Sequence, residues 1–366
     1  MSTAPTASTK LPSEPDSASG TASHDDSDSP GLFPEIQPFD VGYLDVGHGH
    51  RVHYEQCGNP NGLPVLFVHG GPASGFAARQ RRFFDPDLYR IILLNQRGSG
   101  DSQPFGEQAN NTTADLLADM EALRVTLKVS QWLLFGGSWG ATLALAWAGS
   151  YPQHTLGLIL RGVFLSGDAD MDWFFRDAGT LVPDAWAAFA QTVGVDPLSI
   201  QPKDTDSPQG LGANLLEAYT RALANPDTAT SACASWMAWE MSLMRAGGSP
   251  HKAIAASSVS ENSLKTYQLQ AAYLSRRCDL GEAAVLAAAR RASLLPTAIV
   301  HGRLDWVCRP HNAWKIHQLM PGSYLRLVDR GGHDPYSKPM LSALVQATNC
   351  FAKTRQFSAL SSEWIR

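Results

Sequence analysis

No run in this 366-residue chain comes near eighteen consecutive apolar residues, and the N-terminus has no basic stretch leading into an apolar core. The first absence argues against a membrane-spanning helix and the second against a secretory leader. Cysteine is scarce: Cys57, Cys233, Cys278, Cys308 and Cys350 are odd in number, far apart and without Cys-x-x-Cys spacing. That pattern suggests neither a disulfide framework nor a zinc site and fits a reducing compartment, so a cytoplasmic protein without metal or other cofactor is expected. A basic field is missing too. Residues 1–35 hold one cation, Lys10, against six anions (Glu14, Asp16, Asp25, Asp26, Asp28, Glu35), which accounts for the whole net charge of −5. The remaining chain is neutral, so neither nucleic acid nor an anionic membrane is expected as a partner.

What is present is enough apolar residue, 44% of the chain, for a substantial core. Residues 1 to about 33 are rich in Ser, Thr, Ala, Pro and Asp and nearly free of large apolar side chains, so they read as a disordered tail. From Phe39 the character changes. Strands are expected at Val41–Leu44, Arg51–Gln56, Pro64–Val68, Tyr89–Leu94, Trp132–Phe135, Leu156–Leu160, Thr297–His301 and Tyr324–Val328, several of them wholly apolar as in a sheet covered on both faces. Helical patterns lie between them, at Thr113–Lys128 with Leu116, Leu117, Met120, Leu123 and Leu127 on one face, after Ser138, and at Ser342–Phe351 near the end. Alternating strands and helices imply a mostly parallel sheet with helices on both faces. Residues 166–292 break the alternation with tryptophans and amphipathic helical patterns. They are expected to form a helical cap, leaving 34–165 and 293–366 as one α/β domain.

Chemistry concentrates at Gly136-Gly137-Ser138-Trp139-Gly140, an apolar strand running through a glycine-bounded turn into an Ala- and Leu-rich helix. Such a turn lifts a serine hydroxyl clear of the sheet and sets the following helix N-terminus beside it, the arrangement acyl transfer needs. Taken alone, the motif fits a plain structural turn equally well. Asp305 and His333 follow in the chain, each after a strand-like run, in the order Ser, Asp, His. His333 is the expected base, with Gly331 and Gly332 giving it room, and Asp305 the orienting carboxylate. The rivals Asp329 and Asp334 lie too near His333 in sequence to come easily from another strand end. Oxyanion donors are expected from the N–H of Trp139 and from Gly70-Gly71, while His69 reads as a brace for that loop. At Trp236-Met237-Ala238-Trp239-Glu240, helical spacing brings Trp236 near both Trp239 and Glu240. Glu240 is then either a solvated glutamate beside packed aromatics or a cleft-facing anion for a cationic substrate group.

Taken in order, His69-Gly70-Gly71-Pro72, Gln96-Arg97-Gly98-Ser99-Gly100, Asn111-Thr112-Thr113, Gly136 to Gly140, Leu160-Arg161-Gly162-Val163-Phe164, Trp239-Glu240, His301-Gly302-Arg303-Leu304-Asp305 and Gly332-His333 resemble the prolyl aminopeptidases, or proline iminopeptidases, of the α/β-hydrolase fold. The resemblance spans roughly residues 34 to 350. It implies Ser138, Asp305 and His333 as a catalytic triad and release of N-terminal proline from short peptides that carry a free amine. It also implies that Glu240 reads the α-amine and that Arg161 and Phe164 lie near the proline pocket, with Trp239 and Tyr273 in matching motifs. Departures are Ala73 where the family has glycine, Asn95 where it has aspartate, and Gln270 where it has a second amine-binding glutamate. The last leaves an esterase or amidase with a weakened amine site as the alternative. A serine at the nucleophile position disfavours epoxide hydrolases and dehalogenases, which use a carboxylate. A non-catalytic binding protein would have no need of all three triad members.

Overall fold

The computed structural model describes residues 31–197 and 211–366. The tail expected to be disordered lies outside the described residues except for 31–33, where the Phe33 N–H bonds the Arg82 carbonyl at 2.9 Å. Among the described residues eight strands form one sheet: β1 Pro38–Asp45, β2 Arg51–Gly58, β3 Leu63–Val68, β4 Tyr89–Leu94, β5 Trp132–Gly137, β6 Thr155–Arg161, β7 Thr297–Gly302 and β8 Ser323–Val328. Their spatial order is β1-β2-β4-β3-β5-β6-β7-β8; β2 is antiparallel to both of its neighbours, β1 and β4, and every other pair is parallel.

The apolar runs are explained by what covers the sheet. In β3, Leu66 and Val68 face one core cluster while Val65 and Phe67 face a second on the opposite side. Two-residue periodicity thus persists, but both faces are dry, so both sets of side chains are apolar. On the first side lie α1 Thr113–Thr126 and α2 Trp139–Ser150. Between β6 and β7 come α3 Asp168–Phe175, α4 Pro183–Thr192, α5 Leu211–Ala224, α6 Ala229–Met244, α7 Glu261–Ser275 and α8 Gly281–Arg291. Trp236 at the middle of α6 meets the rings of Phe175, Phe189 and Tyr219, which packs α3, α4, α5 and α6 on one another. By contrast α8 lies directly on α2, so close that a Cβ on Gly149 would stand 2.7 Å from the Ala288 backbone. After β7 come α9 Pro310–Leu319 on the first side and α10 Lys338–Thr354 on the second. Among the described residues no helix is long and apolar enough to cross a membrane.

Three helix ends differ from expectation. The last helix is longer than 342–351: Pro339 sits in its first turn, where a missing N–H costs nothing, and Arg355 in the left-handed region ends it. Helix α1 starts where expected, capped by Thr112 and Asp115, and stops at Thr126 because Lys128 takes up a left-handed conformation.

The loop after β4 is fastened to α1 by a buried two-pronged ion pair, Arg97 to Asp119, at 2.6 and 2.7 Å. Asp119→Ala is expected to cost about 3–5 kcal/mol, because it leaves the guanidinium buried and uncompensated. Denaturant unfolding measures this. A loss below about 1 kcal/mol, the worth of a surface pair, would mean that Asp115, at 3.8 Å, had taken over the charge.

Candidate active site

Ser138 occupies the turn between β5 and α2 with φ 57° and ψ −126°, a conformation that side-chain-bearing residues rarely adopt. The flanking glycines make it possible. A Cβ on Gly136 would run into the Gly140 carbonyl, and one on Gly140 into the Val68 carbonyl of β3. Gly137 is needed too, since its Cβ would meet the Arg161 guanidinium at 2.6 Å. The Ser138 N–H is held by the Arg161 carbonyl at 2.8 Å, so the nucleophile candidate is tied to β6 and the sheet. Trp139 opens α2, where main-chain N–H groups have no partner within the helix.

His69 braces the facing loop. Its Nε2 accepts the Gln96 N–H at 3.0 Å and its Nδ1–H bonds the Gly70 carbonyl at 2.9 Å. Burial drives its pKa down to about 4, in keeping with a neutral ring that accepts at Nε2. Gln96 completes the brace by donating to the His69 carbonyl at 3.0 Å and accepting the Trp139 indole N–H at 2.9 Å. Gly71, at φ 109°, turns the chain there, and Gly70 lies against the Gly137 carbonyl.

Asp305 follows β7 and is wholly buried. One oxygen accepts the N–H groups of Val307 (3.0 Å) and Cys308 (2.8 Å); the other accepts His333 Nδ1–H at 2.8 Å. Burial by itself would raise this carboxyl. The charge and hydrogen bond of His333, with help from His301 and the Cys308 N–H, bring it below the ordinary range. The rival carboxylates are engaged elsewhere, Asp329 with Arg303 at 2.6 Å and Asp334 with the Tyr336 N–H at 2.9 Å.

Ser138 and His333 open onto one cavity of about 370 Å³, whose wall also includes Gly70, Gly71, Arg161, Phe164, Glu240 and Gln270. Arg161 ends β6 and donates to the His333 carbonyl at 2.8 Å. Glu240 is half-buried and faces the cavity. One of its oxygens accepts the Trp236 indole N–H at 3.1 Å and the Gln270 amide at 2.7 Å, and the other accepts the Tyr267 hydroxyl at 2.6 Å. All three donors are neutral. Burial pushes the Glu240 carboxyl up, opposed by those hydrogen bonds.

Trp239 and Tyr273, counted with the substrate-binding residues from sequence, stand behind the wall. Each carries a polar group that a core must satisfy: the Trp239 indole bonds the Phe174 carbonyl at 3.1 Å and the Tyr273 hydroxyl bonds Asn111 at 2.6 Å. The sequence reading missed Tyr267. Its spacing of three from Gln270 on α7 was the available signal. It also missed Met171, Phe174, Met244 and Leu274, which supply apolar wall.

Comparison with known proteins gives the fold and the family. A family model described as alpha/beta hydrolase fold matches residues 64–338. A proline iminopeptidase of Xylella fastidiosa is 38% identical over 332 residues, 87% of this chain and 99% of that protein. The chain belongs to the proline iminopeptidase family. A member from Arabidopsis thaliana is 36% identical over 323 residues, covering 87% of this chain and 81% of its own. Among solved structures, an alpha/beta fold family hydrolase from Bacillus anthracis superposes with a TM-score of 0.54 at 16% identity, covering 85% of this chain and 100% of that one. An esterase from Exiguobacterium antarcticum gives 0.54 at 19%, covering 88% and 100%. At such identities the two structures speak for the fold alone.

The departures from the family pattern each find a structural setting. Ala73 is buried at φ 75°, a conformation glycine adopts at lower cost. Asn95 uses both ends of its amide, accepting the Phe76 N–H at 2.8 Å and meeting His53 Nδ1 at 3.2 Å. Gln270 is turned so that its amide N–H faces Glu240.

Proposed function

We propose that this protein is a serine aminopeptidase that removes N-terminal proline from short peptides through an acyl-enzyme on Ser138. The observation that carries the reading is Glu240: a half-buried carboxylate whose hydrogen-bond donors among the described residues are all neutral, in the wall of the cavity that contains Ser138 and His333. A free N-terminus is what separates an exopeptidase substrate from an internal bond, and such an anion rewards that ammonium while penalising a neutral acylated nitrogen. Protonated N-terminal proline offers two N–H groups. Glu240 provides one acceptor, and the Gln270 carbonyl oxygen, left over once its N–H groups face Glu240, provides the second. Phe164, Phe174 and Leu274 suit the apolar ring.

His333 takes the Ser138 proton as Oγ attacks the scissile carbonyl, and Asp305 stabilises the imidazolium that forms. The N–H of Trp139 and the Gly70-Gly71 loop receive the oxyanion. His333 returns the proton to the departing amine as the C–N bond breaks, and water then hydrolyses the prolyl ester by the same route in reverse. In domain terms the catalytic unit is 34–165 with 293–366, and α3 to α7 act as the cap. Because α8 rests on α2, the cap reading fits best when it ends after Ser275, with 276–292 joining the catalytic unit. The cysteines, all free among the described residues, support a reducing compartment, the cytoplasm, as the place of action.

The neutral Gln270 favours one rival, an esterase or amidase that ignores the amine. Hydrolysis of L-proline 4-nitroanilide, its N-acetyl form and a short 4-nitrophenyl ester separates the two. Preference for the free-amine anilide over the acetylated one by about 10²-fold or more, the worth of a buried charge pair, is the expected result. Ester cleavage with no such preference would install the rival.

A further inference from the structure

We propose that α6 links amine recognition to the catalytic histidine, so that an ammonium docked at Glu240 raises kcat by setting the main chain of His333, beyond any gain in affinity. The proposal rests on the aminopeptidase reading above.

The nucleophile is anchored to the sheet, its base both to the sheet side and to α6. Ser138 sits in a strand–helix turn with its N–H on β6. His333 is held otherwise. Its N–H and that of Asp334 both bond the carbonyl of Met244, at 3.0 and 3.1 Å. Met244 is the last residue of α6, and its carbonyl is one that helix geometry leaves without an internal partner. The approach is close, because a Cβ on Gly332 would collide with the Ala246 nitrogen just beyond the helix.

The aspartate loop leans on the same layer. The carbonyl of Trp306, next to Asp305, accepts the Trp173 indole N–H from α3 at 2.9 Å. The Trp306 ring packs on Gly248, where a Cβ would stand 2.5 Å from it. Arg161 holds the His333 carbonyl from the sheet side, yet the distance between base and nucleophile still depends on where α6 lies.

Glu240 and Met244 are one helical turn apart on one face of α6, about 6 Å along its axis. A helix turn is stiff, so a shift at one is felt at the other. Without substrate the Glu240 charge has only neutral donors, two of them, Tyr267 and Gln270, on α7. An ammonium between Glu240 and Gln270 supplies the missing cation and draws α6 and α7 into one arrangement, which fixes Met244 and with it His333.

The test compares the 4-nitroanilides of L-proline and cyclopentanecarboxylic acid, rings of similar size with and without the amine, at saturating enzyme in single turnover. The ammonium also activates its own carbonyl, but that effect is the same in every enzyme variant and cancels when rate ratios are compared. In Gly332→Ala, which forces α6 away from the histidine loop, the prolyl-to-cyclopentyl rate ratio is expected to fall by about tenfold, the size of a coupling between sites. Half-saturation for the prolyl substrate should change by less than about threefold. Trp173→Phe keeps the aromatic ring, removes the bond to Trp306 and is expected to lower the ratio by about threefold, so the test survives a Gly332→Ala protein that does not fold. An unchanged ratio in folded variants, with both rates falling together, overturns the coupling and leaves the aminopeptidase standing. A wild type that does not cleave the prolyl anilide at all overturns both.

Discussion

Ser138→Ala is expected to lower turnover of L-proline anilide by about 10⁴–10⁶-fold, the scale seen when the nucleophile of a triad is removed. Stability should barely change. Serine and alanine carry the same Cβ penalty at φ 57°, and the neighbouring glycines that permit this conformation are untouched. Steady-state rates and a melting curve on one preparation check both halves. If activity survived, the nucleophile would lie elsewhere; lost activity together with a collapsed melting temperature would mean that the serine holds the turn as well as reacting in it.

Glu240→Gln carries the second large effect, an expected fall of about 10²–10³-fold in kcat/KM for substrates with a free amine, the worth of a buried charge pair. The N-acetylated substrate should lose far less, since it brings no cation. The acid side of the pH profile gives an independent check. Burial holds the Glu240 carboxyl above the usual glutamate range, against the hydrogen bonds of Tyr267, Gln270 and Trp236. Ammonium binding needs the carboxylate, so kcat/KM should fall as pH drops through that raised value, and Glu240→Gln should remove this limb. Linkage fixes the sign for stability. A carboxyl raised on folding binds more protons folded than unfolded, so its cost is full above the folded pKa and shrinks as pH falls through it. Glu240→Gln should therefore melt higher than wild type at neutral and alkaline pH, with the gap closing in acid.

Much of the site could be read from sequence because its geometry is local. The Ser138 turn needs a buried strand, glycines where two backbones nearly touch, and a helix, all within residues 132–150. Trp236 and Glu240 are one helical turn apart, and the indole donates to that carboxylate. Asp305 and His333 were findable because each follows a strand, although their 2.8 Å contact spans 28 residues of sequence. Contacts between helices left no such trace. Tyr267 reaches Glu240 from α7 to α6, and Trp239 and Tyr273 sit behind the wall because their polar atoms find partners in the core. The bond from His333 to Met244 is main chain to main chain, so no residue type announces it.

Release of free proline is the most direct measurement of the central claim. Wild-type protein is incubated with an equimolar mixture of a short peptide beginning in proline, its N-acetylated form and the same peptide with proline in second place, and the products are identified by mass spectrometry. The account predicts free proline from the first peptide only, with the other two intact. Cleavage of the acetylated peptide at a comparable rate, or no cleavage of any peptide beside rapid hydrolysis of a simple ester, would contradict it.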